Sequence, residues 1–140
     1  QRRSHFWLFY RIGYLNNFLM HVVFAGYTAK FIGWANSPFQ LEVGFASLGI
    51  GVAGLIAFKQ NLAFRLATFI PPAFFLWGAA AGHIYQIMKT HNMAPGNAGS
   101  ILWTDILLPF VGFALLFAQW KTTLTNKPDP GAEKKRIPDG

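Results

Sequence analysis

Five side chains that can bind metals, carry protons or form strong hydrogen bonds interrupt the apolar stretches of this chain: His21, Glu42, His83, Gln86 and Asp105. Such groups are energetically expensive inside a lipid bilayer, where they mark a functional site or a structural pairing. Imidazole and carboxylate groups bind divalent metals, and imidazole also ligates the iron of a tetrapyrrole. These residue types therefore indicate a polar site, provided that the elements carrying them bring them together.

The composition indicates an integral membrane protein. Of the 140 residues, 53% are hydrophobic and only 12% are charged, whereas an average soluble domain carries about 25% charged residues. The net charge of +7 does not indicate nucleic-acid binding, because the basic residues lie at the ends of apolar runs, where membrane proteins keep them. The sequence contains no cysteine, which excludes disulfides and thiolate metal ligands.

Four apolar segments, each near the roughly 20 residues that cross a bilayer as a helix, predict one all-α membrane domain. Their short connections favour an antiparallel, up-down four-helix bundle. The segment after the fourth predicted helix is polar and basic, and its composition is typical of disordered chains. The predicted helices span about 5–27, 39–58, 62–88 and 101–120, within a domain of residues 1–121, and the tail spans 122–140.

The distribution of positive charge predicts the orientation of the chain. Ten of the 12 Lys and Arg residues fall on one side of the predicted bundle, and only Lys30 and Lys89 fall on the other. Loops rich in Lys and Arg stay in the cytoplasm. We therefore expect both termini to be cytoplasmic.

In this orientation, the polar side chains share one depth in the membrane. Glu42 and Asp105 each lie about one turn into a helix that begins on the outer side, or ~5–8 Å below its end at 1.5 Å per residue. His83 and Gln86 lie in the last turns of the third helix, under the loop of residues 92–100. We predict that the outer leaflet holds a polar cluster of Asn17, His21, Glu42, His83, Gln86, Asn97 and Asp105.

Four interpretations of this cluster remain open. Glu42, His83 and Asp105 form a candidate metal site, and His21 or His83 is a candidate axial ligand of a tetrapyrrole. Glu42 is also a candidate proton carrier in a small transporter. The interpretation that we prefer is structural, with the polar groups pinning the turn at 95–97. No residue is assigned a catalytic role, and on this interpretation we expect neither a cofactor nor enzymatic activity.

The second predicted helix carries small residues on two faces. One face contains Gly44, Ser47, Gly51 and Gly54, and the other contains Glu42, Ala46, Gly49 and Ala53. Small residues let helices approach each other closely in lipid. We therefore expect this helix to be the most enclosed of the four.

Several motifs occur together across about residues 30–112. They are Trp34, Pro38-Phe39-Gln40, Glu42-Val43-Gly44, Gly82-His83-Ile84-Tyr85-Gln86, Asn92, the run from Pro95 to Gly99, and Asp105. In this combination the chain resembles an uncharacterised bacterial family of small four-span inner-membrane proteins, a domain-of-unknown-function family. The resemblance implies a four-helix fold in the bacterial inner membrane with polar motifs on the outer side, and it implies no activity.

These features together lead to an expectation about function. The helices with small packing faces and the basic cytoplasmic tail favour an accessory or scaffold subunit of a larger membrane complex, such as an energy-transducing one. Its expected partners are membrane lipids and other membrane subunits, and not nucleic acid. The alternatives are a small metal- or tetrapyrrole-binding membrane protein or enzyme, and a small proton-coupled transporter.

Overall fold

A computed structural model describes the backbone of residues 2–125 and the side chains of residues 11–125. This part of the chain is all-helical, which confirms the predicted fold class at that level. Residues 126–140, most of the predicted tail, lie outside the described residues. The helices are α1 (Arg2–Val22), α2 (Ala25–Ile32), α3 (Phe39–Ala57), α4 (Leu62–Thr90), α5 (Pro95–Ala98) and α6 (Ser100–Thr125).

The first predicted helix, 5–27, differs from the structure because the helix is interrupted between α1 and α2. The amide of Phe24 bonds to the carbonyl of Leu19 instead of that of Met20. The Thr28 hydroxyl donates to the freed Met20 carbonyl at 2.8 Å. A side chain inserted into the helical hydrogen-bond ladder is a recognised cause of a helix break. The segment then continues as α2 and ends at Gly33, whose φ of 74° forms a left-handed C-cap.

α1 and α3 pack antiparallel through one small-residue face of α3. A Cβ atom added at Gly44 would overlap Val22, and one added at Gly51 would lie 3.0 Å from the Leu15 side chain. Residues later in α3 therefore contact residues earlier in α1, as expected of an antiparallel pair. This close approach is the one that small residues permit between helices in lipid.

The second small-residue face of α3 is not packed in the same way. Ala46 and Gly49 are exposed, and a Cβ added at Gly49 meets no atom within 4 Å. The expectation that α3 is enclosed on both faces is therefore wrong for the described chain. Within residues 11–125, α1 covers one face of α3, and no atom lies within 4 Å of a Cβ added at Gly49 on the other.

α4 and α6 form the second antiparallel pair. Gly112 of α6 lies against the ring of Phe69, and the Trp77 indole donates to the carbonyl of Ile106 at 3.4 Å. The α1–α3 pair contacts this second pair through Tyr14, whose hydroxyl donates to the carbonyl of Pro72 at 3.3 Å. The core around this contact contains Tyr14, Phe69, Ala73 and Leu116.

Three helical stretches in the described chain are long and apolar enough to cross a membrane, by length and composition: Phe39–Ala57, Leu62–Thr90 and Pro95–Thr125. This finding indicates a membrane protein. α1 is not among the three, and its 21 residues include Arg2, Arg3 and Arg11. Large apolar side chains such as Phe39, Phe74 and Phe110 are more than half exposed, as expected of surfaces that face lipid.

Candidate functional site

The polar site at the α4–α6 connection is centred on Asn97, which is 0% exposed. Its Oδ1 atom accepts hydrogen bonds from Trp34 Nε1 and from His83 Nδ1, both at 2.8 Å. Its Nδ2 group donates to the carbonyls of His83, at 3.3 Å, and Asn92, at 2.9 Å. The carbonyl and the NH₂ group of the side-chain amide thus both make two hydrogen bonds, as expected of a buried polar side chain. One side chain connects the loop after α2 with α4, the following loop and α5.

Asn92 fastens the same loop to the end of α2. Its Nδ2 group donates to the carbonyls of Ile32 and Gly33, at 3.0 and 3.1 Å. Its Oδ1 atom accepts from the amide of Ala94 at 3.0 Å. The loop between α4 and α5 is therefore held by side-chain bonds to a segment about 60 residues earlier in the chain.

His83 and Asp105 face each other beneath this loop. Nε2 of His83 lies 3.6 Å from Oδ2 of Asp105, and the two residues are 4% and 7% exposed. The ring of Trp34 covers His83, with the ring centroids 5.1 Å apart. The pair is therefore largely removed from solvent, with an aromatic ring against the imidazole.

The hydrogen bonds of Asn97 determine where the proton of His83 lies. Because the Asn97 Nδ2 group points at two carbonyl oxygens, which only accept, the amide orientation is fixed. Its Oδ1 atom must then accept from His83, so Nδ1 carries a proton. Nε2 then faces Oδ2 of Asp105 at 3.6 Å.

His21 and Asn17 take part in separate contacts between α1 and α3. Nδ1 of His21 pairs with Oε1 of Gln40, and Nε2 of Gln40 donates to the carbonyl of Ala25 at 2.8 Å. Asn17 donates to the hydroxyl of Ser47 at 2.8 Å. These bonds hold α1 and the segment between α1 and α2 against α3. The described contacts do not join His21 or Asn17 to Asn97.

Glu42 and Gln86 also lie apart from the buried pair. Glu42 is exposed on α3, and Gln86 accepts from the hydroxyl of Thr90 at 3.2 Å. Within the described residues, no group of three or more His, Cys, Asp or Glu side chains could hold a metal ion. The metal set of Glu42, His83 and Asp105 thus has two members in contact, and the axial-ligand roles of His21 and His83 stay predictions.

The sequence interpretation did not assign contacts to Trp34, Gln40 and Asn92. Trp34 and Gln40 lie just before or within the first turn of α3, and Asn92 lies just after α4. A signal was available for Trp34, because an indole N–H near a buried face generally needs an acceptor. Asn92 sits three residues before the start of the Pro-Gly-Asn turn, where an asparagine commonly bonds to nearby backbone.

Comparisons with known proteins give a family and no activity. No curated protein matches the chain, and no solved structure matches it either. One family model matches residues 3–124, a range that contains both helix pairs except for one terminal residue of α1 and one of α6, and every residue of the site. The chain therefore belongs to DUF6790, a family of unknown function.

Proposed function

We propose that this protein is a non-enzymatic scaffold or accessory subunit of a larger membrane protein complex. The observation that carries the proposal is the open small-residue face of α3, which lacks a close neighbour at Gly49 in the described chain. Glu42, Ala46, Gly49 and Ala53 recur every three or four residues, so they share one face of the helix. In lipid, such a face is suited to close contact with another helix.

The occupant that suits this face is a transmembrane helix of another subunit with a basic residue near its outer end. Glu42 is exposed at the beginning of α3 and would be close to a like charge if two copies met symmetrically through the same face. A Lys or Arg at that depth on the partner would instead compensate the carboxylate. The basic tail, at the opposite end of the predicted topology, is a second proposed contact.

We further propose that the chain has four spans, with both termini in the cytoplasm of a bacterium. Arg11 lies against Gly54 and Phe58, so it is level with the turn between α3 and α4. The nine helical residues 2–10 then extend beyond the membrane boundary set by that turn. This placement supports a fourth span from Arg11 to Ile32, which crosses the membrane through α1 and α2.

The scaffold proposal is tested by enlarging Gly49. We expect Gly49→Leu to lower the yield of co-purified partner by about fivefold or more, equivalent to about 1 kcal/mol, because the added side chain keeps a partner helix away from the α3 backbone. The measurement is quantitative mass spectrometry of proteins that co-purify in mild detergent from native membranes. Metal and pigment are assayed in the same sample.

The matched control is Gly78→Leu, which lies on α4 and likewise meets no atom within 4 Å of an added Cβ. The control should keep both the partner and the melting temperature. Equal partner loss in the two variants would count against the α3 face. A chain purified alone with near-stoichiometric metal or tetrapyrrole would overturn the scaffold proposal and favour a binding role for His83, Asp105, Glu42 or His21.

A second candidate function, proton-coupled transport, is supported by the buried contact of His83 with Asp105. An ionisable pair inside a membrane span is a typical component of a proton relay. The pair sits in the last turns of α4 and the first turns of α6, and Trp34 lies over it. Glu42, the carrier predicted from the sequence, is exposed and separate from the pair.

This candidate predicts that Asp105→Asn lowers proton flux by about tenfold or more, because an amide side chain cannot take up and release a proton as a carboxyl group does. Flux is measured in proteoliposomes with a trapped pH-sensitive dye and an imposed potassium diffusion potential. Glu42→Gln is the control and should retain the flux. Wild-type flux no greater than that of protein-free liposomes would eliminate transport. Loss with Glu42→Gln alone would assign the carrier to Glu42.

A further inference from the structure

The guanidinium of Arg11 is a buried cation with an unused donor. Arg11 is 4% exposed, and its Nε is buried without a hydrogen-bond partner in the described structure. The Cζ atom lies 4.7 Å from the centroid of the Phe58 ring. A cation–π contact stabilises the charge but satisfies none of the N–H donors. A buried donor left in this state carries a substantial free-energy penalty, so an acceptor is expected at this position.

A second guanidinium lies beside the first. Nε of Arg65 donates to the carbonyl of Ala57 at 3.1 Å, and Nη2 donates to the carbonyl of Phe58 at 2.8 Å. Both arginines therefore contact Phe58, and their charges are near enough to repel each other. The two cations frame the turn from α3 to α4.

No described carboxylate can compensate this pair. Glu42 and Asp105 are the only acidic residues in the described chain. Glu42 is at the opposite end of α3, about 18 Å from Gly54 at 1.5 Å per residue. Asp105 pairs with His83 near the end of α4, whereas Arg65 lies at its beginning. An anion at Arg11 and Arg65 must therefore come from outside residues 11–125.

We propose that Arg11 and Arg65 bind the phosphate of an anionic phospholipid headgroup. Guanidinium groups fit phosphate oxygens through paired N–H···O bonds, which would use the idle donor of Arg11. The turn between two membrane-spanning helices lies where the hydrocarbon ends and phosphates begin. Phe58, which is exposed, would then contact the acyl chain of the same lipid. This inference needs the membrane location but not the scaffold role.

The test is native mass spectrometry of the full-length chain released from nanodiscs that contain phosphatidylglycerol and phosphatidylcholine in equal amounts. We expect the wild type to retain one phosphatidylglycerol molecule. Arg11→Gln and Arg65→Gln should each lower that occupancy by about fivefold or more, since a neutral amide lacks the charge that attracts phosphate. Circular dichroism verifies that each variant is folded, and the two variants provide independent tests.

The control is Lys59→Gln, which removes one charge from the same turn and should change occupancy by less than about twofold. Equal losses in Lys59→Gln and Arg11→Gln, or equal retention of the two lipids, would overturn the proposal. Displacement of the lipid by millimolar inorganic phosphate would assign the site to free phosphate. A gain in bound lipid after joint neutralisation of Asp129, Glu133 and Asp139 would show that the chain's own tail occupies the site, and would equally overturn it.

Discussion

Asn97→Ala is expected to lower the free energy of unfolding by about 3–5 kcal/mol, because it removes four hydrogen bonds from a buried site. The indole N–H of Trp34 and the imidazole N–H of His83 would both lose their acceptor. The carbonyls of His83 and Asn92 would lose their donor. The measurement is reversible unfolding in mixed micelles, followed by circular dichroism and by tryptophan fluorescence.

Asn36→Ala is the control for this substitution. Asn36 is exposed, and its side chain takes part in a longer bond from Gln40 at 3.4 Å, so we expect a change within about 0.5 kcal/mol. If Asn97→Ala and Asn36→Ala had similarly small effects, the turn would be held by backbone geometry alone, and the role given to Asn97 would be wrong.

Gly112→Ala is expected to destabilise the protein by about 2–3 kcal/mol through overpacking between α4 and α6. A Cβ at this position would overlap Cζ of Phe69 and lie 2.6 Å from its Cε2. The ring cannot move aside easily, because Phe69 is only 1% exposed and packs edge-on against Phe113 at a centroid distance of 5.1 Å. The same unfolding assay measures the effect.

Gly78→Ala on α4 provides the control, since its added Cβ meets no atom within 4 Å. It should leave stability unchanged or slightly raised, because alanine is the better helix former. The double variant Gly112→Ala with Phe69→Leu should recover part of the loss, as the smaller side chain vacates the overlapping volume. An equal loss for both glycines would indicate a helix-wide effect and contradict the overpacking argument.

The sequence was informative about class and about part of the site. Low charge and long apolar runs predicted an all-helical membrane protein, and three helices in the structure meet that description. The contact between His83 and Asp105 followed from depth and proximity along the chain. His83 lies near the end of one helix and Asp105 near the beginning of the next, with Asn97 in the short connection between them. The short connection therefore keeps these three residues close together.

The depth of a residue in the membrane does not predict which way its side chain points around the helix axis. Glu42 and His21 lie at a suitable height, yet Glu42 is exposed and His21 pairs with Gln40. Rotation of a helix about its axis depends on which faces pack, and α3 had two small-residue faces to choose from. The break between α1 and α2 was also hidden, because it depends on one threonine hydroxyl that takes over the Met20 carbonyl.

The pairing of α4 with α6 also has a consequence for the order in which the chain is synthesised. The contact of Asp105 with His83 forms when α6 lies against α4, and His83 comes from earlier in the chain. About 22 residues separate His83 from Asp105, which a ribosome adds in roughly one to four seconds. During that interval α4 already carries the imidazole that will receive the carboxyl group. The carboxyl group of Asp105 thus meets an imidazole that is already in the chain when α6 packs against α4.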